Sequence, residues 1–317
     1  AAAIADACAQ AGVPGADAAV VAGNTTMLTL LSGREPRPLA IAPFTADCLF
    51  GLEETLAGIP VYYPACAAAY MGADITCAAL ATGLCEQTET TLLMDIGTNG
   101  ELMLWHAGQL FAASAAAGPA FEGGEISQGC GGVIGAIDRV WVENNALGAH
   151  VIGGGQATGL CGSGLMDAIA ALLALGRIDP SGAADAPAFA LVDGVRLTAG
   201  DVRAVQLAKA AVAAAVETLL NAAGITAFQV SRLLLAGGFG SRLNIASAAA
   251  IGLIPPALAG RARAVGNAAL AGASALLLDT ALRPKADAIA ARAQVLALGG
   301  NASFEHRFLQ AIPFPGG

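Results

Sequence analysis

Two glycine-rich stretches, far apart in the chain, carry residue types suited to phosphate chemistry. Thr91 to Leu104 reads TLLMDIGTNGELML, and Leu233 to Leu243 reads LLLAGGFGSRL. In the first, an apolar run ends at Asp95, Gly97 to Gly100 supply a tight turn, and Glu101 to Leu104 begins a return strand. This spells a β-hairpin. Backbone N–H groups in such a turn can face phosphate oxygens, and Thr98 and Asn99 add short hydrogen-bonding side chains for the β- and γ-phosphates. Asp95 stands at the strand end, where a carboxylate holds Mg²⁺ directly or through water. A plain hairpin turn is the competing reading, and Glu101 is expected to face solvent. In the second stretch, Leu233 to Leu235 form a buried strand. Gly237, Gly238 and Gly240, with Phe239 among them, remove side chains where a flat ligand lies against the backbone, and positive φ is expected at Gly238.

Further chemistry-bearing residues lie between these stretches. Glu122 and Glu125, three apart in a glycine-rich loop, are candidates to hold Mg²⁺ or orient an attacking water; loop carboxylates are otherwise simply solvated. Gly162, Ser163 and Gly164 precede a helix expected from Leu165, and a glycine turn at a helix N-terminus is a ready anion site. The structural alternative is an N-cap by Ser163, worth about 1 kcal/mol without any ligand. Asp167 is expected to contact a neighbouring loop rather than a metal. Cys66, Cys130 and Cys161 have no basic residue close by in sequence and read as packing residues. His106, His150 and His306 are dispersed and form no catalytic set.

The elements that must position these residues follow from local signals. Ala1 to Ala11 reads as a helix stopped near Gly12 and Pro14, followed by a short strand at Ala19 to Ala22. Gly33 to Pro43, with its prolines, reads as a loop, and Pro64 to Leu84 as a helix after its first turn. Strands are expected at Thr91 to Ile96, Glu101 to His106 and Gln109 to Ser114. Gly129 to Gly162 reads as irregular, with a hairpin near Val140 to Val151. Asp193-Gly194 is a hairpin signal. Thr198 with Asp201 marks the start of a long helix that ends at Asn221 to Gly224. The strand, the GGFG turn and a further helix then continue an α/β alternation, and the tail after Pro284 reads as a helix and a proline-containing terminus.

Composition narrows the classes. At 317 residues the chain can bury about three quarters of its unfolded surface. Charged residues are 12% of the chain, the hydrophobic fraction is 56% and the mean hydropathy is +0.65, against a usual charged share of roughly 25%. Alanine richness accounts for part of this; cover by another domain or subunit is the sharper reading. The net charge of −9 argues against nucleic acid as a partner. The apolar run Val265 to Leu278 is shorter than the roughly 20 residues needed to span a bilayer and contains Asn267, so no membrane segment is expected. The N-terminus does not read as a signal peptide. Cysteines occur singly at 8, 48, 66, 77, 85, 130 and 161 without C-x-x-C spacing. This supports neither an iron–sulfur nor a zinc framework and fits a reducing cytoplasm.

In order along the chain, DIGTNGEL, ASAAAGPAFEGGEI (Ala113 to Ile126), GLCGSGLMDAI (Gly159 to Ile169) and LLLAGGFGSRLNIASAAAIGLIP (Leu233 to Pro255) form a recognisable series. It resembles the ATP-binding domain of the reductive activators of corrinoid-dependent methyltransferases, within the superfamily of actin-like ATPases, acetate and sugar kinases and heat-shock chaperones. VVAGNTTM (Val20 to Met27), PACAAAYMGADI (Pro64 to Ile75) and VQLAKAAV (Val205 to Val212) match the same pattern. The resemblance implies an α/β fold of ribonuclease-H-like lobes. Residues 1–90 would be a partial first lobe and 91–317 a second lobe with the phosphate hairpin and the adenosine motif. It implies ATP and Mg²⁺ as cofactors and a corrinoid protein of a methyltransferase system as partner, with a homodimer held open.

The family's 2Fe–2S domain and first phosphate motif do not occur in this sequence, which also lacks an initial Met. It therefore reads as a piece of a longer polypeptide, with DIGTNGEL as the second phosphate loop. The implied activity is ATP-dependent restoration of Co(I) on the corrinoid partner. A small-molecule kinase of the same superfamily and a non-catalytic corrinoid-protein docking module are the alternatives.

Overall fold

A computed structural model describes residues 2–56 and 58–316 of the chain. Helix α1 (Ala2–Ala11) is followed by β1 (Ala19–Val20), α2 (Thr25–Leu31), α3 (Arg37–Ala40), β2 (Leu52–Leu56), β3 (Ile59–Tyr63) and α4 (Ala73–Ala81). Then come β4 (Thr91–Ile96), β5 (Asn99–His106), β6 (Gln109–Ala116), β7 (Ala136–Glu143), β8 (Ala146–Val151), β9 (Gly159–Leu160) and α5 (Gly162–Ala174). Next are β10 (Ala188–Ala190), β11 (Arg196–Thr198), α6 (Ala199–Ala222), β12 (Arg232–Ala236), α7 (Gly237–Gly240) and α8 (Ile245–Ala250). The chain ends with β13 (Ala262–Gly266), α9 (Ala268–Leu278), α10 (Arg283–Arg292), β14 (Ala293–Val295) and α11 (Ala302–Ala311).

These elements form two units that interleave along the sequence. The first holds Ala1–Thr88, Ala107–Ala112 and Asn267–Val295; the second holds Glu89–His106, Ala113–Gly266 and Leu296–Gly317. In the first unit, β1 pairs parallel to β3, and β2 pairs antiparallel to β3. Leu28 of α2 packs with Val61, Tyr63 and Cys66 in its core. Helices α4 and α9 cross closely because Gly272 has no side chain: a Cβ there would overlap the carbonyl of Cys77. Strand β14 runs parallel to the first half of β6, with Ala293 opposite Leu110.

In the second unit, β13, β12, β4 and β5 lie side by side, parallel except for the β4–β5 hairpin. Strand β4 is apolar almost throughout because both of its faces are covered, with Thr91 to Met94 all buried. A second sheet has the order β8-β7-β9. Helix α6 starts at a capping box in which the Thr198 and Asp201 side chains each bond the other's backbone N–H, and it ends before Gly224, whose φ is +70°. Between β10 and β11, Asp193 and Gly194 have φ of 53° and 82°, the paired left-handed geometry that an Asp-Gly hairpin turn requires.

Several sequence expectations change. The helix expected over Pro64 to Leu84 occupies only Ala73–Ala81, because Pro64 to Gly72 forms a loop bridged at Ala68 and Met71. Gly33 to Pro43 contains the short α3, with a proline at its first turn. The hairpin expected near Val140 to Val151 is present as β7–β8 and starts a few residues earlier, paired from Ile137–Val151 to Glu143–Ala146. Among the described residues no helix is long and apolar enough to cross a membrane.

Candidate functional site

The two glycine-rich turns are neighbours. Strands β4 and β12 pair in parallel with Asp95 opposite Ala236, so both chains leave the sheet at the same edge. Gly237 follows with φ of +80°, and a Cβ on it would overlap Asp95 Oδ1. This position needs glycine twice over: an L-residue is strained at that φ, and the Asp95 carboxylate fills the space a side chain would take. Gly238, where positive φ was expected, lies outside the left-handed region and has nothing within 4 Å of its Cβ position. Left-handed backbone occurs one residue earlier because the chain must turn immediately after β12. Gly240 rests against the backbone of Leu235, 3.2 Å from its Cβ position.

In the β4–β5 hairpin, glycine serves close approach rather than a left-handed turn. A Cβ on Gly97 would lie 3.0 Å from Glu122 Oε1, and one on Gly100 3.0 Å from Val212 Cγ2 of α6. Thr98 Oγ1 donates to Glu122 Oε2 at 2.5 Å, and the Gly118 N–H donates to the Thr98 carbonyl at 2.9 Å. The hairpin and the Glu122 loop are thus tied together. Asn99 and Thr98 are exposed at the tip, whereas Asp95 is half-buried. Glu101 is buried rather than facing solvent, being opposite Asp95 in the hairpin register. Glu125 is exposed, with φ of 58°, and no described contact joins it to Asp95 or Thr98. Of the two carboxylates, Glu122 is the one with a described contact to the hairpin, through Thr98 and against Gly97.

A cleft of about 340 Å³ opens beside the second turn, lined by Phe121, Cys130, Cys161, Ser163, Gly238 and Arg242 among others. Phe121 and Phe239, both in its lining, stack on each other with ring centroids 5.2 Å apart and planes 12° from parallel. The start of α5 enters here because Gly162 has no side chain. A Cβ there would overlap the Phe121 carbonyl and stand 3.1 Å from Phe239 Cδ2. Ser163 is buried inside the helix, and the N-cap residue is Cys161, which makes no side-chain cap hydrogen bond. The alternative of a cap by Ser163 is not realised, and the first turn of α5 has no side-chain cap where it borders the cleft. Gly164 is set apart from Gly162 and Ser163: it is buried against Ile137, whose carbonyl a Cβ would overlap. Asp167 accepts hydrogen bonds from Ser247 Oγ at 2.5 Å and from the Val140 N–H at 3.3 Å, so it clasps helix α8 and strand β7 rather than the loop expected. Burial raises its carboxyl above the usual range.

Two features escaped sequence reasoning. Arg242, exposed on the cleft wall, supplies a cation where an anionic ligand would sit, and its only signal was its place two residues after GGFG. Asp201 caps α6 and also accepts from Ser127 N and Ser127 Oγ at 2.7 and 2.9 Å, so one buried carboxylate anchors the loop that carries Glu122.

No group of three or more His, Cys, Asp or Glu able to hold a metal occurs among the described residues. The donor set nonetheless fits Mg²⁺ arriving with a polyphosphate, because such an ion needs only one or two carboxylates and completes its shell with phosphate and water. Half-buried Asp95, at the edge where the phosphate turn begins, fits that role.

A parallel sheet whose adjacent strand ends carry two glycine turns, with a cleft alongside, is the architecture of an actin-like ATPase domain. Residues 89–317 match the family described as the C-terminal domain of RACo, the ASKHA domain, and residues 1–87 match the RACo middle region. The chain belongs to this family. It is 33% identical over 296 residues to the corrinoid activation enzyme RamQ of Eubacterium limosum, covering 82% of this chain and 50% of that protein. It is 30% identical over 245 residues to a Co(II) methylated amine-specific corrinoid protein reductase of Methanosarcina barkeri, covering 65% of this chain and 45% of the other. A solved reductive activator for corrinoid, iron–sulfur protein superposes with a TM-score of 0.89 at 34% identity, over 98% of this chain and 55% of its own. The chain spans about half the length of the curated relatives it matches.

Proposed function

We propose that this chain forms the nucleotide-binding part of an ATP-dependent reductive activator that returns a Co(II) corrinoid protein of a methyltransferase system to Co(I). The observation that carries the reading is the register of β4 with β12, which sets Asp95 against Gly237 and so joins a phosphate turn to an adenosine wall. Thr98, Asn99 and the backbone of Gly97 and Gly100 hold the β- and γ-phosphates. Gly162 and Ser163 present free N–H groups of α5 to an anion, and Arg242 adds charge. Gly237, Gly238, Phe239 and Gly240 form the wall for the nucleoside. When bound, Mg²⁺ neutralises the phosphate charge, with Asp95 as the carboxylate that orients it. Glu122, held by Thr98, orients the attacking water. Gly164 and Glu125 have supporting places outside this set.

ATP occupancy then selects the conformation that docks on the corrinoid protein, since a ligand shifts an equilibrium only by its unequal affinity for the two states. The two interleaved units act as the two lobes, with Ala107–Ala112 and Asn267–Val295 joining Ala1–Thr88 rather than a boundary at residue 90; electrons come from a 2Fe–2S module, and the setting is the cytoplasm. Homodimerisation fits the sparse surface charge.

The test is direct. MgATP should raise the melting temperature by mass action, and Asp95→Ala should abolish that shift while the protein stays folded. A protein carrying an iron–sulfur module and this domain should convert Co(II) to Co(I), followed by corrinoid absorbance, only with ATP and a low-potential donor. Phosphorylation of a metabolite with an unchanged corrinoid spectrum would replace this reading with a kinase.

A further inference from the structure

Two thiols on the cleft wall have no part in the nucleotide chemistry, yet their placement is close. Gly129 and Leu160 form a parallel bridge, with Leu160 N donating to the Gln128 carbonyl at 2.9 Å and Cys130 N donating to the Leu160 carbonyl at 3.1 Å. The next residue on each side is a cysteine: Cys130 on the glycine loop and Cys161 at the start of α5. Parallel neighbours lie about 4.8 Å apart, and a disulfide needs Cα separations of roughly 4.4–6.8 Å. Register thus brings the two backbones within bridging range. Cys130 Sγ presently leans over Gly159, 2.7 Å from where a Cβ would stand, and Cys161 Sγ lies 3.4 Å from Ser163 Oγ. Gly159 and Cys161 stand two positions apart in extended backbone, so a Cys130 side chain over Gly159 lies on the face that Cys161 shares. Both cysteines line the cleft, whereas Cys8, Cys48, Cys66, Cys77 and Cys85 all belong to the other unit.

We propose that Cys130 and Cys161 form a reversible disulfide that closes the nucleotide cleft when the thiol pool becomes oxidised; this rests on the nucleotide reading of the same cleft. The oxidant is a low-molecular-weight disulfide. The thiolate of Cys130, the more exposed of the two, attacks one sulfur and expels the first small thiol. The Cys161 thiolate then attacks the mixed disulfide at Cys130 and expels the second. Two protein S–H bonds become one S–S bond, and the two electrons leave on the small disulfide, which departs as two thiols. The bridge ties the loop bearing Gly131 and Gly132 to the start of α5 and places two sulfurs where the ligand would meet Ser163. An activator that consumes ATP to deliver low-potential electrons would be silenced under the conditions in which those electrons are wasted. Burial raises the Cys130 thiol, so exchange should be slow at neutral pH and faster in mild alkali.

The experiment incubates the reduced protein with oxidised glutathione at pH 7 and pH 9, maps disulfides by peptide mass under non-reducing conditions, and measures MgATP affinity by calorimetry. A Cys130–Cys161 linked peptide should appear, with at least a tenfold loss of affinity that dithiothreitol restores. In Cys130→Ser and Cys161→Ala, each compared with itself, oxidant should no longer change affinity. A linked peptide with unchanged affinity overturns the switch, as does a stable glutathione adduct on Cys130 without the cross-link. If the reduced protein fails to bind MgATP while the cross-link still forms, the nucleotide reading is what has failed, and the switch falls with it.

Discussion

After β4, neither Gly97 nor Gly100 takes left-handed backbone, and each is glycine because something presses close: Glu122 on one, Val212 on the other. After β12, Gly237 is left-handed and also pressed by Asp95, while Gly238 beside it is neither. The two turns look alike in sequence but differ in what holds them. The hairpin turn is shaped by its neighbours, α6 and the Glu122 loop, whereas the GGFG turn is shaped by left-handed backbone at Gly237 together with the Asp95 carboxylate. Gly238 faces open space and takes no left-handed backbone, so neither packing nor φ requires glycine there.

The largest effect should come from Gly237→Ala. A Cβ at φ of +80° costs about 1–2 kcal/mol in backbone strain alone, and displacing the Asp95 carboxylate adds to it. Thermal melting should show a loss of more than about 2 kcal/mol, and MgATP should no longer stabilise the protein. A melting temperature equal to wild type would show that the turn tolerates a side chain and would break the contrast. Next, Gly238→Val should leave stability within about 0.5 kcal/mol but weaken ATP binding far more than pyrophosphate binding by calorimetry. Wild-type ATP affinity would make GGFG a packing turn only. Gly100→Ala should cost about 1 kcal/mol through the contact with Val212, and Val212→Ala in the same protein should recover part of it. Strict additivity in that double-mutant cycle would show that the two sites are uncoupled.

The smallest effect concerns α6 itself. Lys209, buried on that helix, donates to the carbonyls of Ala311 and Pro313 and lies over the Phe314 ring. Burial lowers its ammonium to about 8 from an ordinary value of 10.5. The folded state therefore releases this proton before the unfolded state does, so stability should rise as pH climbs from about 8 toward 10.5. The thiols of Cys66 and Cys77, raised to about 12 by burial, act oppositely above their ordinary value of 9.0. The informative quantity is thus the difference between wild type and Lys209→Met in denaturant midpoints from pH 7.5 to 9. A flat difference would place the Lys209 charge in solvent.

Much of the site's outline was legible locally. The buried run before Asp95, the Asp193-Gly194 turn and the Thr198/Asp201 cap each depend on residues a few positions apart, and each appears where expected. What escaped depends on long-range register. Nothing near Asp95 announces that its carboxylate excludes a side chain from Gly237, 142 positions away by numbering, nor does anything near Phe121 announce its stack on Phe239. A cap by Ser163 was one of two readings because the helix was expected to start near Leu165; it starts at Gly162, and Cys161 takes the extended cap conformation, with ψ of 169°. The first unit was less legible because α2 is seven residues long and apolar on more than one side, exposing Met27 and Leu30.

One carboxylate serves both segments: Asp201 Oδ2 closes the helix cap with Thr198, and Oδ1 holds Ser127 of the loop. When the first turn of α6 frays, the loop loses its anchor at the same instant, so the two segments should open as one cooperative unit rather than independently. Amide hydrogens at Ser127 and Asp201 would then exchange with matching protection, and the mobility of the Glu122 loop would be governed by helix fraying at a site outside the cleft.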